Sequence, residues 1–154
     1  MTPRIKHKLK AWWPSMLTAG AVLWLTLAAH PLPEIGDMPP IPNLDKLVHL
    51  IMFGGLTGAI IFDAKRLQKD ERRHLSPTFY VILALSMLVF AYGDECLQEA
   101  MGHGRAYDIM DFMADSTGIA IALATAPRVV NWLLRTWHRR QLCAGRRHED
   151  RGNG

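Results

Sequence analysis

Long stretches without formally charged side chains dominate the pattern of hydrophobic and polar positions along the chain. No Asp, Glu, Lys or Arg occurs in the ranges 11–33 and 75–93. Two further apolar stretches, 47–62 and 112–127, are interrupted only by His49 and Asp115. An α-helix needs about 20 mostly apolar residues to cross ~30 Å of hydrocarbon. The pattern therefore predicts four membrane-spanning helices, at about 12–29, 46–62, 77–96 and 110–127.

The positions of the basic residues support this interpretation, although the composition alone does not require it. With 49% hydrophobic and 21% charged residues, the averages would also suit a soluble domain. However, all but two of the 18 Lys and Arg residues lie before the first stretch, between the second and third, or after the fourth. Cytoplasmic loops carry an excess of such residues. We therefore predict a single all-α domain over 1–154, a four-helix transmembrane bundle with both termini cytoplasmic and a basic tail at 128–154.

Two other interpretations of the basic segments compete with this one. The basic N-terminus followed by Leu17 to Ala29 resembles a secretory signal peptide, but the run is also long enough to stay as a helix. The net charge of +4 could indicate nucleic acid binding. Basic clusters beside a span more often fix topology and contact anionic headgroups. We therefore expect membrane lipids as partners and no nucleic acid.

Two helix starts carry recognisable signals. Asn43 or Asp45 could cap the second span, after a proline-rich segment that cannot be regular helix. Ser76 followed by Pro77 predicts a capped start for the third span, since Ser favours the N-cap and Pro the first helical position.

Charged residues concentrate where this topology places the outer ends of three helices. The two remaining basic residues, Lys46 and Arg105, both lie there. Asp45 and His49 are one helical turn apart and share a face, as do Asp111 and Asp115. Because charged groups at or inside a bilayer are costly, they usually mark a functional site.

Asp115 has an unusual position in the fourth stretch. From Ser116 to Pro127 there are only 12 residues, or ~18 Å of helix, which is too short to cross alone. We therefore expect Asp115 to lie within the membrane and to point inward, toward Lys46, His49 or Arg105.

Several of these residues fall into linked motifs, which read Asp45-Lys46-x-x-His49-x-x-x-Phe53, Glu95-x-x-Gln98, Gly104-Arg105-x-x-Asp108-x-x-Asp111 and finally Gly118. In this series, over roughly 45–122, the chain resembles the VanZ-like family of bacterial membrane proteins. Two positions depart from the family pattern, which usually has Asn at the position of Asp115 and an aromatic residue at that of Leu50. The resemblance implies a multi-pass protein of the bacterial cytoplasmic (inner) membrane. The founding member is linked to low-level resistance to the glycopeptide antibiotic teicoplanin. This link does not imply a reaction mechanism.

The first functional hypothesis is a site at the outer face of the cell envelope that binds, or acts on, a lipid-linked envelope molecule. Lys46 and Arg105 would hold a phosphate or carboxylate. The candidate acids and bases are His49, Glu95 and Asp111. The other candidate binding residues are Asp45, Gln98, Asp108 and Asp115.

The alternative is a non-catalytic membrane protein in which the same charges form a helix-packing network, for example Lys46 with Asp111 or Arg105 with Glu95. A divalent metal site is a third possibility, but no His-x-x-x-His or Cys-rich spacing supports it. We therefore predict no metal ligands and no cofactor. The absence of repeats also makes a transporter a poor fit.

Overall fold

The computed structural model describes residues 12–27, 43–68, 74–101 and 108–152, with side chains described as far as Trp137. Four α-helices fill these ranges: α1 Trp13–Leu27, α2 Leu44–Arg66, α3 Pro77–Ala100 and α4 Ile109–Gly152. The described residues contain no strand. The predicted all-α class is thus confirmed. Arg105 lies outside the described residues.

Three of the helices are long and apolar enough to cross a membrane. They are α2 with 23 residues, α3 with 24, and the 29-residue segment Ile109–Trp137 of α4. Their outward faces carry large apolar side chains, such as Val89, which is 72% exposed. Such surfaces suit contact with lipid, since a soluble monomer rarely exposes them over a large area. The described part of α1 is apolar but has only 15 residues.

The fourth helix continues beyond the end of the predicted span. Pro127 lies inside α4 rather than at its end. Proline lacks the N–H that would bond to the carbonyl one turn earlier, so the helix loses one backbone bond there. Close by, the Arg128 side chain donates to the Ala124 carbonyl oxygen at 2.8 Å.

The two predicted helix starts differ in how they are capped. The Ser76 side chain accepts a hydrogen bond from the Phe79 backbone N–H at 3.2 Å, with Pro77 at the first helical position, as predicted. Asn43 occupies the N-cap position of α2 but has a left-handed backbone, with φ of 61°, and its side chain makes no capping bond within the described residues. The position and the bond of the Ser76 cap are therefore as predicted, whereas Asn43 was one of two candidates for the cap of α2.

Polar bonds hold α1 against its neighbours at both of its ends. At one end, Asp63 of α2 is fully buried and accepts hydrogen bonds from the Ser15 backbone N–H at 3.0 Å and the Ser15 hydroxyl at 2.6 Å. A carboxylate at a helix N-terminus is favoured by the free N–H groups and the helix dipole. At the other end, the Thr26 hydroxyl donates to Asp94 of α3 at 2.9 Å. These contacts align α1 along the full depth of the bundle.

The closest helix contact lies between α2 and α4, at Gly54 and Gly118. A Cβ added at Gly118 would overlap the carbonyl oxygen of Leu50, and one added at Gly54 would lie 3.1 Å from the carbonyl oxygen of Gly118. Small residues allow helix backbones to approach this closely within a membrane. Apolar packing continues on both sides of this contact, with Phe53 and Ile119 buried. The contact fixes the register between the two helices.

We expect Gly118→Ala to destabilise the protein, because its methyl group would meet backbone rather than a movable side chain. Overpacking of this kind costs about 1–3 kcal/mol. Gly93→Ala is the matched control, since no described atom lies within 4 Å of its added Cβ. Alanine is also favoured over glycine in a helix interior. In thermal unfolding in detergent, Gly118→Ala should melt at a lower temperature than the native chain. Gly93→Ala should show no such decrease. Equal melting temperatures for the two variants would show that α2 and α4 do not depend on this contact.

Candidate functional site

Polar side chains from α2, α3 and α4 gather at one end of the bundle, where α2 begins, α3 ends and α4 begins. The Gly54–Gly118 contact brings α2 and α4 close enough for their polar residues to bond directly. We call this group the polar cluster. It comprises Asp45, Lys46, His49, Glu95, Gln98, Asp108, Asp111 and Asp115.

Lys46 is the centre of the more exposed half of the polar cluster. Its ammonium lies 2.9 Å from Asp111 Oδ1, 3.0 Å from Asp108 Oδ2 and 3.4 Å from Asp45 Oδ2. Asp45 is mostly exposed, and Lys46 is its described contact. The ammonium is thus balanced by carboxylates of its own helix and of the start of α4.

Asp108 both binds Lys46 and begins α4. Its Oδ1 accepts a hydrogen bond from the Met110 backbone N–H at 2.8 Å, while its Oδ2 faces Lys46. The hydrogen bond from Lys46 holds the pKa of the Asp108 carboxyl below its ordinary value, and the Met110 N–H acts in the same direction. Asp108 therefore stays ionised and keeps the start of α4 beside Lys46.

His49 is the centre of the buried half of the polar cluster. Its Nδ1 lies 3.1 Å from Asp115 Oδ1 and 3.8 Å from Glu95 Oε1. Asp115 is 0% exposed and Glu95 is 2% exposed. As the sequence predicts, Asp115 points inward and contacts His49. A carboxylate bonded to one ring nitrogen fixes the orientation of the imidazole and leaves the other nitrogen for another partner.

Two carboxyl oxygens in this buried half receive no hydrogen bond from the residues that the structure describes. Glu95 Oε1 and Asp115 Oδ2 are buried and have no hydrogen-bond partner among the residues the structure describes. A buried polar atom without a partner costs about 1–3 kcal/mol, and more when it is charged. Such atoms point to a role that the packing of the helices alone does not explain.

Asp94 belongs to this region but does not stand out in the sequence. It is buried, accepts the bond from Thr26 and accepts a second one from the Gln98 amide at 3.1 Å. Gln98, a predicted binding residue, thus uses its amide nitrogen to hold Asp94. The signal that could have identified Asp94 is its spacing of one turn from Gln98, directly after a charge-free stretch.

The structure brings together all of the predicted site residues that it describes, in the two halves of the polar cluster. Asp45 is the most peripheral of them. Glu99, one turn beyond Glu95, is exposed instead of sharing its buried face. The predicted roles of these residues in binding or catalysis remain predictions.

Asp115→Asn should fold at least as well as the native chain. The amide oxygen can still accept from His49, and the substitution removes a buried carboxyl group with an unpartnered oxygen. Asn is also the residue usual in the VanZ-like family at this position. Asp115→Ala should instead lower stability by about 1–3 kcal/mol, because His49 loses its partner. Thermal unfolding of the three proteins checks this order. A melting temperature for Asp115→Asn below that of the native chain would contradict the prediction and show that the carboxylate itself contributes to stability.

The fold and the polar cluster define a class of protein: an all-helical membrane protein with an ionisable site at one end of its helices. The model of the VanZ/LLP1 family matches residues 5–132, which is most of the chain. The chain therefore belongs to the VanZ/LLP1 family, and the resemblance seen in its motifs is confirmed. No curated protein and no solved structure matches the chain.

Proposed function

We propose that this protein is a multi-pass protein of the bacterial cytoplasmic membrane that binds a lipid-linked molecule of the cell envelope at the polar cluster. The observation that carries the proposal is the pair of buried, unpartnered carboxyl oxygens beside His49. They lie on helices long enough to cross a membrane, where an unsatisfied polar group is costly. A bound ligand that donates hydrogen bonds would satisfy both oxygens.

The alternative to ligand binding is a network of charges that serves only helix packing. This alternative accounts for the exposed half of the polar cluster. In the exposed half, Lys46 has carboxylate partners on α2 and at the start of α4, as such a network requires. In the buried half, Glu95 is 3.8 Å from His49 and leaves Oε1 without a hydrogen bond among the described residues. The exposed half therefore acts as packing support, and the buried half is the binding element.

An apolar groove next to the polar cluster supports an amphipathic ligand. The groove has a volume of about 310 Å³, is open to the side of the bundle and lies between α2 and α4. Its lining includes Leu50, Gly54, Gly58 and Ala122. Leu50 is adjacent to His49 in the chain and one turn after Lys46, so the groove begins where the polar cluster ends. An acyl or prenyl chain in this groove would place its polar head at the cluster.

The pairing of Lys46 changes which headgroup chemistry fits best. Its ammonium already contacts three carboxylates, so it is poorly available to a phosphate. The described part of the cluster offers more hydrogen-bond acceptors than donors. It therefore suits a headgroup with hydroxyl or amine donors, and His49, Glu95 and Asp111 are the groups placed to exchange protons with it.

Charge at the two ends of the bundle supports an orientation with the polar cluster on the outer face. Lys65 and Arg66 lie at the opposite end of α2, in the last turn. Basic residues favour the cytoplasmic side. Because α1 contacts α2 at one end and α3 at the other, it extends between the same two ends and would form the fourth span.

Filling the groove tests the proposal. We expect Gly58→Leu to reduce a co-purifying lipid about tenfold, because the added side chain would occupy space now open among the described residues. A tenfold change corresponds to about 1.4 kcal/mol of binding energy. The measurement is native mass spectrometry of the detergent-purified full chain, with each lipid quantified against its share of the source membrane. Gly93→Leu is the control, since Gly93 is exposed on α3 and does not line the groove.

The headgroup part of the proposal is tested in the same experiment. Glu95→Gln should lower occupancy of the same lipid, whereas Glu99→Gln, an exposed position one turn away, should not. If no lipid is enriched, or if all four variants retain it equally, the protein does not bind such a ligand. If Glu95→Gln lowers only the yield of folded protein and no lipid is enriched, the packing network accounts for the polar cluster.

A further inference from the structure

We propose that His49, Glu95 and Asp111 bind one divalent transition-metal ion, with the buried carboxylate of Asp115 beside it. Each of the three residues offers one ligand atom, and these atoms all lie within 4.8 Å of one another. His49 and Glu95 are buried and Asp111 is half-buried. The ion and the lipid-linked headgroup proposed above would both use Glu95 Oε1, but the ion is testable on its own, without the lipid.

The separation of the ligand atoms is close to what one ion requires. Bonds of ~2.0–2.2 Å place two ligands of the same ion roughly 3–4.4 Å apart. The three side chains come from three different helices, and the Gly54–Gly118 contact and the Lys46–Asp111 ion pair already fix two of them, α2 and α4, relative to each other. Small side-chain rotations would therefore bring the three ligand atoms to bonding distance of one ion without moving the backbone.

The unpartnered oxygen of Glu95 is a separate indication of a ligand. Oε1 is buried, faces His49 Nδ1 at 3.8 Å and has no hydrogen-bond partner among the described residues. That distance is too long for a hydrogen bond but suits two groups that bind a common ion. The ion would provide the missing interaction for this oxygen.

Asp111 can take part while keeping its contact with Lys46. Its Oδ1 lies 2.9 Å from the Lys46 ammonium, and its second oxygen remains to bind an ion. Asp115 Oδ1 lies 3.1 Å from His49 Nδ1, so an ion on that nitrogen would replace this hydrogen bond. The Asp115 carboxylate would stay beside the ion and balance part of its charge.

The charge balance of the region also favours a cation. Among the described residues, the polar cluster and its neighbour Asp94 contain one lysine and one histidine, against the carboxyl groups of Asp45, Asp94, Glu95, Asp108, Asp111 and Asp115. For the buried members of this set, such as Glu95 and Asp115, negative charge in surroundings of low dielectric constant is costly unless it is neutralised. A divalent ion between Glu95 and Asp111 would offset part of it.

The types of ligand atom select the class of ion. Carboxylate oxygens suit Mg²⁺, Ca²⁺ and Mn²⁺, whereas imidazole suits Zn²⁺ and other transition metals. One imidazole with two carboxylates therefore fits Mn²⁺ or Zn²⁺ better than Mg²⁺ or Ca²⁺. The sequence gives no local signal of this site, because each ligand comes from a different helix.

The test uses the full chain, purified in detergent, stripped of metal with a chelator and titrated with Mn²⁺ or Zn²⁺ alone. Calorimetry should detect a site for one ion per chain that His49→Ala and Glu95→Gln each weaken at least tenfold, the size of effect that even outer-shell partners of metal ligands show. His74→Ala and Glu99→Gln are the controls, since both residues are exposed and lie outside the triad. They should bind as the native chain does.

A second measurement separates loss of the site from loss of the fold. The bound ion should raise the melting temperature of the native chain and of both controls, because it binds only the folded state. Glu95→Gln, the more conservative variant, should melt as a folded protein without this rise. The proposal is overturned if the native chain binds neither ion, if Glu95→Gln binds as tightly as the native chain, or if the controls lose binding equally.

Discussion

The close approach of α2 and α4 at Gly54 and Gly118 determines how the residues of these two helices meet in the polar cluster. Backbone meets backbone at this point, so the register of the two helices has little freedom. One turn toward the end of the bundle, the same register brings His49 to Asp115, and further out it brings Lys46 to Asp111. The glycine contact and the polar bonds require the same register. If α2 and α4 were shifted along each other, the two glycines would no longer face each other and the polar side chains would lose their partners.

Within the polar cluster, the exposed charged groups have more partners than the buried ones. The exposed half has a lysine with several carboxylate partners, although ion pairs near water contribute little to stability. The buried half has more carboxyl groups than partners, although burial makes each unpaired group costly. Evolution toward stability alone would favour the opposite distribution. The buried half is therefore the part of the described structure whose arrangement helix packing alone does not explain.

The sequence contained enough information for part of this arrangement. Charge-free stretches and basic segments predicted the helices, and residues one turn apart predicted that Asp111 and Asp115 would face the same way. The short distance from Asp115 to Pro127 predicted its burial. The sequence could not show that Asp63 would contact Ser15, that Asp94 would contact Thr26 or that Gly118 would meet Leu50. Those contacts depend on the relative register of separate helices, which no local spacing encodes.

The bonds that hold α1 at its two ends have a consequence for how the protein assembles. Asp63 and Asp94 are buried on α2 and α3, and each bonds to a hydroxyl of α1. A carboxylate that enters a bilayer without a partner faces a large desolvation penalty. During synthesis α1 emerges before α2 and α3, so Ser15 and Thr26 are already present when the two acidic residues arrive. The order of the helices along the chain thus allows each acidic residue to find its hydroxyl partner as it enters the membrane.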